Sequence, residues 1–272
     1  MTTTTLGLDT FQWVALIAAF LALVIIAESW LGHYRSGFPL RAQYAPLLTG
    51  GLLTVVSVAA VIVPDSARLH ASLRIAGWIA VATGMIGVGY HHWYGIVEKA
   101  GGYRWLLHYL MYGAPQLAPL ALSATGALAI VASQGLARGA TPANPDPARL
   151  LLGIAAIALA GAIAQTGILH YRGAFNTPLM YAPFTLPPLA ALGSGWLAID
   201  PSPGIGGFVR VCLWGTILLA FVGLGMHLRG IDRQMGGLHV FQSNLLQGPP
   251  PLAPAVYAGF ALIALLALGL RA

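Results

Sequence analysis

The sequence has few charged residues, one cysteine and one lysine. Charged side chains make up 7% of its 272 residues and hydrophobic ones 58%, whereas about a quarter of the residues in soluble domains are charged. The 13 basic residues are too scattered to follow a phosphate backbone, which excludes a nucleic-acid partner. Cys212 alone excludes a disulfide framework and a thiolate metal cluster. The composition therefore predicts an integral membrane protein in contact with the lipid bilayer.

Long apolar runs indicate the fold. A helix that crosses the bilayer needs about 20 apolar residues, and eight runs approach that length: 11–31, 45–63, 73–91, 112–133, 149–170, 180–198, 208–227 and 252–270. The predicted fold is an all-α polytopic bundle of eight transmembrane helices. The middles of the runs contain no Asp, Glu, Lys or Arg, which argues against a proton-coupled transporter. Basic residues outside the repeated motifs favour the side of the termini, which predicts a bacterial inner-membrane protein with cytoplasmic termini.

An internal repeat is the most specific feature of the sequence. The segment HYRSGF at 33–38, followed by YAP at 44–46, recurs 137 positions later as HYRGAF at 170–175 and YAP at 181–183. A second block, from His92 to Pro119, recurs 135 positions later from His227 to Pro254. We therefore predict two tandem four-helix repeats, residues 1–136 and 148–272, joined by a proline-rich linker at 137–147. Because each half has an even number of helices, both halves are predicted to insert in the same orientation. Such repeats are related by a pseudo-twofold axis along the membrane normal.

Seven of the eight histidines are predicted to lie at the membrane face opposite the termini. A basic residue followed by glycine is a common helix end, but the even-numbered helices end without histidine, so capping does not explain this distribution. Neutral imidazole is the commonest metal ligand, and helix bundles hold cofactors between facing helices. The sequence thus predicts haem, or non-haem iron or copper. The expected ligands are His33, His92, His170 and His227, with His91 and Glu28 as auxiliary ligands.

Arginines and tyrosines of the same face suggest a second kind of site. Arg35, Arg172 and Arg229 lie beside proline-started even helices, and helix N-termini attract anions. We expect them to orient an anionic group, with hydroxyls supplied by Tyr34 and Tyr171.

The predicted function is a membrane redox protein, either an oxidoreductase or its electron-transfer subunit, that exchanges electrons with quinone or a redox partner subunit. Two alternatives stay open. One is a carrier or binding protein for an anionic or lipid-like small molecule, and the other is a non-catalytic membrane subunit of a larger complex. Metal and pigment content would separate the redox protein from both.

Overall fold

The computed structural model describes residues 7–138, 146–201 and 203–271, and every regular element in those residues is helical. The α-helices are α1 (Thr10–Arg35), α2 (Ala45–Ile62), α3 (Ala67–His92), α4 (Leu106–Tyr112), α5 (Leu120–Arg138), α6 (Pro147–Arg172), α7 (Leu186–Ile199), α8 (Gly206–Asp232), α9 (Phe241–Gln247) and α10 (Ala255–Gly269). Short 3-10 helices precede α2, α4, α7, α8 and α9, and a π-helix follows α3. The all-helical prediction is confirmed.

Seven helical segments of the described chain are long and apolar enough to cross a membrane. They are Thr10–Arg35, Arg41–Ile62, Ala67–Val97, Leu120–Ala137, Pro147–Arg172, Pro178–Ile199 and Gly206–Asp232. The last predicted span contains only α10, which is apolar but has 15 residues, fewer than a bilayer core requires. The chain is an integral membrane bundle with seven candidate spans, and the eighth stays a prediction.

The fourth span begins later than the sequence suggested. We expected it at 112–133, but α5 starts at Leu120 and the short helix α4 precedes it. Pro115 and Pro119 lie between the two helices, and proline lacks the N–H that an internal helical turn donates. The chain therefore forms turns there and starts a new helix after the second proline.

Four helices form the centre of the bundle. Helix α1 packs against α5 and α10, and α6 packs against the same two helices. The outer helices are α2 and α3 on one side and α7 and α8 on the other. Leu21, Leu128, Leu159 and Phe260 are fully buried in this centre. The helix ends that carry the candidate site are therefore held by a common packed core.

Small residues let α3 and α5 approach closely. A β-carbon at Gly77 would lie 2.7 Å from the carbonyl oxygen of Gly126, and one at Gly126 would lie 2.5 Å from the carbonyl oxygen of Gly77. Close backbone approach at small residues is the usual way in which helices associate in lipid. This contact fixes α3, whose far end carries His91.

The first helices of the two predicted repeats make equivalent contacts, through residues that are 137 positions apart. Asp9 caps the N-terminus of α1 and Asp146 caps that of α6. The side chain of Gln12 donates a hydrogen bond to the last turn of α2, and that of Arg149 donates to the last turn of α7. Residues 139–145 of the predicted linker lie outside the described residues.

Candidate functional site

The two HYR segments end α1 and α6 with the same turn. The Phe38 N–H donates to the His33 carbonyl at 3.2 Å, and the Phe175 N–H donates to the His170 carbonyl at 3.1 Å. Both phenylalanines have positive φ angles, 51° and 47°, a conformation that costs a residue other than glycine about 1–3 kcal/mol. The surrounding contacts therefore have to offset this cost in both turns.

Each of these phenylalanines packs between a tyrosine and a histidine. The Phe38 ring stacks on Tyr44 with 4.6 Å between ring centres, and the Phe175 ring stacks on Tyr181 at 4.5 Å. The histidine of the same turn lies 5.9 Å away in the first case and 6.1 Å in the second. Aromatic pairs at this spacing contribute about 0.5–1.5 kcal/mol each. The HYR and YAP segments thus form one aromatic cluster that restrains the imidazole.

A second histidine in each half lies at the end of α3 or α8. Nδ1 of His91 donates to the carbonyl oxygen of Pro115 at 2.8 Å, and Nδ1 of His227 donates to that of Pro250 at 2.5 Å. Because a carbonyl only accepts, the ring proton is on Nδ1 in both histidines. Each of these imidazoles is therefore oriented by the chain that leads into α5 or α10.

The expected equivalence of His92 and His227 is wrong. His91 makes the contact that corresponds to that of His227, whereas Nε2 of His92 lies 2.6 Å from the hydroxyl of Tyr103. The physical reason is the π-helix Trp93–Val97 that continues α3, because a π-turn accommodates one more residue than an α-turn. The number of positions that separates equivalent residues of the two predicted halves therefore changes at this π-helix.

Two of the four imidazoles at these helix ends lie close together. His33 and His91 have ring centres 6.3 Å apart and nearly perpendicular planes, at 86°. Among the residues that the structure describes, no three His, Cys, Asp or Glu side chains form a group that could hold a metal. The predicted ligands are thus not gathered into one cluster, and any shared ligand would have two histidines.

Glu28 links the two predicted halves. Its Oε1 accepts a hydrogen bond from the Leu252 N–H at 2.6 Å. Gln165, which is 137 positions later, accepts one from the Leu117 N–H at 3.0 Å. The first helix of each predicted half thus accepts a hydrogen bond from the segment that precedes the last helix of the other half. The structure gives Glu28 this structural partner and places it in no group of metal ligands within the described chain.

Two of the three arginines are engaged with the protein. Nη2 of Arg35 donates hydrogen bonds to the carbonyl oxygens of Leu245, at 3.1 Å, and Gly248, at 3.0 Å. The guanidinium of Arg172 lies over an aromatic ring of α4, 5.9 Å from its centre. The exposed Arg229 side chain forms no hydrogen bond or ion pair with any described residue. The structure therefore does not bring the three arginines together as an anion site.

The two predicted hydroxyl donors lie at the surface. Tyr34 is 47% exposed and its ring stacks on Trp30 with 5.1 Å between centres, and Tyr171 is 61% exposed. Neither hydroxyl hydrogen-bonds to the part of the chain that the structure describes. Both residues are accessible from outside the bundle.

Sequence reasoning missed the residues that orient His33 and His170. Gln43 donates from Nε2 to Nδ1 of His33 at 3.2 Å, whereas Nδ1 of His170 donates to the backbone carbonyl of Met180 at 2.7 Å. Gln43 and Met180 occupy the same position of the repeat, immediately before YAP. The only sequence signal of this difference is that the residue before YAP is glutamine in one segment and methionine in the other.

A cavity of about 600 Å³ lies at the opposite end of the bundle, between the start of α3 and the end of α5. Its polar lining comprises Asp65, His70, Arg74, Ser133 and Gln134. The buried His70 is oriented there by a hydrogen bond from Nε2 to the Pro64 carbonyl at 2.7 Å. Sequence reasoning did not predict this cavity.

No family model, curated protein or solved structure matches the chain. Its function is therefore inferred from its own residues and their geometry.

Proposed function

We propose that the chain is a membrane electron-transfer protein in which paired histidines hold haem iron. Haem iron is commonly held by two protein side chains, and the imidazoles of His33 and His91, which come from two helices, lie 6.3 Å apart between ring centres. This pairing is the observation that carries the proposal. A non-haem iron or copper site built from protein alone takes more ligands, and no group of three metal-ligating side chains is present in the described residues.

Spacing supports the proposal. Two imidazoles on opposite sides of one iron have ring centres about 6 Å apart, because each iron–nitrogen bond is about 2 Å and each nitrogen lies about 1 Å from its ring centre. The rings of His33 and His91 are separated by 6.3 Å. Hydrogen bonds from Nδ1 to backbone carbonyls orient three of the four rings, and metal-bound histidines are oriented in this way by their second nitrogen.

The proposal includes eight spans and two tandem repeats, residues 1–136 and 148–272. The reciprocal contacts of Glu28 and Gln165 support the pseudo-twofold axis, and α10, with the turns before it, supplies the eighth span. The protein lies in a bacterial inner membrane with cytoplasmic termini. The paired His33 and His91 are then at the opposite surface, where a bound haem would exchange electrons with quinone or a partner subunit. A haem held there would supply one-electron transfer.

Pigment and metal content test the proposal. The full chain, purified in detergent from cells supplied with iron, is expected to show a Soret band and stoichiometric iron. His91→Ala should lower the haem content because its ring faces that of His33, whereas His92→Ala serves as the matched control because its ring contacts a tyrosine instead of another histidine. A colourless, iron-free and copper-free protein would contradict the proposal and favour the non-catalytic subunit.

An anion carrier is less well supported. Such a site needs free cationic groups, but Arg35 is hydrogen-bonded to two carbonyls and Arg172 lies over an aromatic ring. If the purified protein lacks pigment and its thermal stability rises with anionic lipid, the carrier would replace the redox protein.

A further inference from the structure

The cavity between the start of α3 and the end of α5 contains a buried hydrogen-bond acceptor without a partner. His70 lines this cavity and is only 7% exposed. Its Nε2 donates to the Pro64 carbonyl at 2.7 Å, so Nδ1 of the neutral ring carries a lone pair. That nitrogen forms no hydrogen bond with any residue that the structure describes. Because buried polar atoms are normally hydrogen-bonded, the cavity should hold a donor for Nδ1.

Two opposite charges line the same cavity without forming an ion pair. Asp65 lies in the turn before α3, and Arg74 lies two turns into that helix. Neither side chain makes a hydrogen bond or a salt bridge within the described chain. A ligand that carries a cation at one end and an anion at the other could therefore pair with both.

The arginine of the second predicted half is engaged instead with the protein. Arg210 follows Arg74 by 136 positions, the same number that separates His91 and His227. Its Nη2 donates to the carbonyl oxygen of Leu268, in α10, at 3.3 Å. An arginine at this place in the fold can thus be satisfied by the neighbouring helix, but Arg74 is not.

The polar lining of the cavity also differs from its counterpart in the second predicted half. His70 corresponds to Gly206, 136 positions later, which has no side chain to offer a ligand. Ser133 of α5 corresponds to Leu268, 135 positions later. The polar groups therefore belong to the first half alone, which favours a ligand site over a contact that the packing of either half requires.

The cavity lies near the depth of the lipid headgroups. The span Ala67–Val97 has 31 residues, which is about 46 Å of helix, whereas the hydrocarbon core is about 30 Å thick. The first turns of α3, with His70 and Arg74, therefore lie at or near the edge of the core. Ile75 and Trp78 follow on the same helix and are each 60% exposed. An acyl chain can contact them while its headgroup occupies the cavity.

We propose that this cavity binds the zwitterionic headgroup of an aminophospholipid, whose phosphate pairs with Arg74 and whose ammonium group donates to Asp65 and to Nδ1 of His70. The cavity volume of about 600 Å³ is within the range of about 300–1,000 Å³ that small-molecule sites have. A choline headgroup has no N–H donor and a glycerol headgroup has no cation, so both fit less well. The site is at the opposite end of the bundle from the proposed haem and does not depend on it.

Lipid binding to the full chain tests the proposal. The protein is purified in detergent, freed of co-purified lipid, and titrated with phosphatidylethanolamine, phosphatidylcholine or phosphatidylglycerol with the same acyl chains, and bound lipid is counted by native mass spectrometry. We expect phosphatidylethanolamine to bind at least about tenfold more tightly than the other two, the factor that one charge-assisted hydrogen bond provides. Glycerophosphoethanolamine, which has the headgroup without the chains, should bind more weakly than the lipid.

Matched variants locate the bound lipid. Arg74→Gln removes the cation that meets the phosphate and should weaken binding of phosphatidylethanolamine at least about tenfold. Arg210→Gln makes the same change where the arginine contacts the protein, and should leave the affinity unchanged. Asp65→Asn removes the carboxylate that meets the ammonium group and should weaken binding as Arg74→Gln does. Both cavity residues are exposed, so the variants should fold, which size-exclusion elution and circular dichroism verify.

Four results would overturn the proposal. Equal affinity for the three lipids, or no binding of phosphatidylethanolamine, would mean that the cavity does not select this headgroup. Equal losses in Arg74→Gln and Arg210→Gln would place the lipid elsewhere. Glycerophosphoethanolamine that binds as tightly as the lipid would assign the cavity to a soluble zwitterion. If Arg74→Gln does not fold, full affinity in Asp65→Asn has the same force against the proposal.

Discussion

Replacement of Glu28 by alanine should weaken the junction between the two halves of the bundle. The carboxylate accepts a hydrogen bond from the half-buried Leu252 N–H at 2.6 Å. Alanine removes the acceptor and leaves that N–H without it, which costs about 1–3 kcal/mol. Glu28→Gln keeps an oxygen acceptor, as Gln165 does toward the other half at 3.0 Å. It should therefore cost about 1 kcal/mol or less.

Thermal unfolding in one detergent and at one scan rate measures the difference, because membrane proteins often unfold irreversibly. In a chain of this size, 1 kcal/mol corresponds to about 2–4 °C in Tm. We expect Glu28→Ala to lower Tm by several degrees and Glu28→Gln by about 4 °C at most. Gln165→Ala provides a matched control, since it removes the equivalent acceptor from the opposite half and should lower Tm in the same direction.

Two results would refute this reasoning. An unchanged Tm in Glu28→Ala would mean that the contact contributes nothing to the junction. A loss of haem in Glu28→Gln without a change in Tm would make Glu28 a ligand, as the sequence had suggested, instead of a link between the halves.

Two further predictions concern the same bundle. Arg35→Met removes two solvent-exposed hydrogen bonds to backbone carbonyls and should destabilise the protein by about 0.5–1.5 kcal/mol. Susceptibility of the segment 233–248, which contains α9, to proteolysis should rise, and unchanged cleavage would contradict the contact. Gly126→Leu places a side chain where a β-carbon already lies 2.5 Å from a carbonyl oxygen, so thermal unfolding should show a loss of about 1–3 kcal/mol or more. Gly161→Leu, with nothing within 4 Å of its β-carbon, is the control, and equal losses in both variants would argue against close packing at Gly126.

The general architecture could be predicted because apolar run length and composition are sufficient to identify membrane helices. The first and fifth runs, 11–31 and 149–170, correspond to α1 and α6 with a few residues added at each end. The later start of α5 follows from Pro115 and Pro119, because each proline lacks the N–H that an internal helical turn needs. The shortness of α10 follows from a similar run of prolines and turns before Ala255.

The candidate site could be predicted only in part. The sequence identified the residue types and the face, but an ungapped offset paired His92 with His227, because a π-helix inserts a residue without any mark in composition. Which ring nitrogen of each histidine carries the proton could not be predicted from the sequence for another reason. They depend on whether Nδ1 of His33 or His170 meets an amide or a carbonyl, and this is a property of the folded turn.

The crossed links at Glu28 and Gln165 bear on how such a bundle could have begun. Each half uses its own first helix to secure a connection that belongs to the other, so one half by itself would have a free acceptor and an unsecured connection. Two identical copies facing each other about a twofold axis would satisfy both needs at once, since such an interface uses the same patch on both subunits. If the two halves arose by the predicted duplication, a single ancestral four-helix unit would have needed a second copy to satisfy these contacts, and fusion would have joined the two copies.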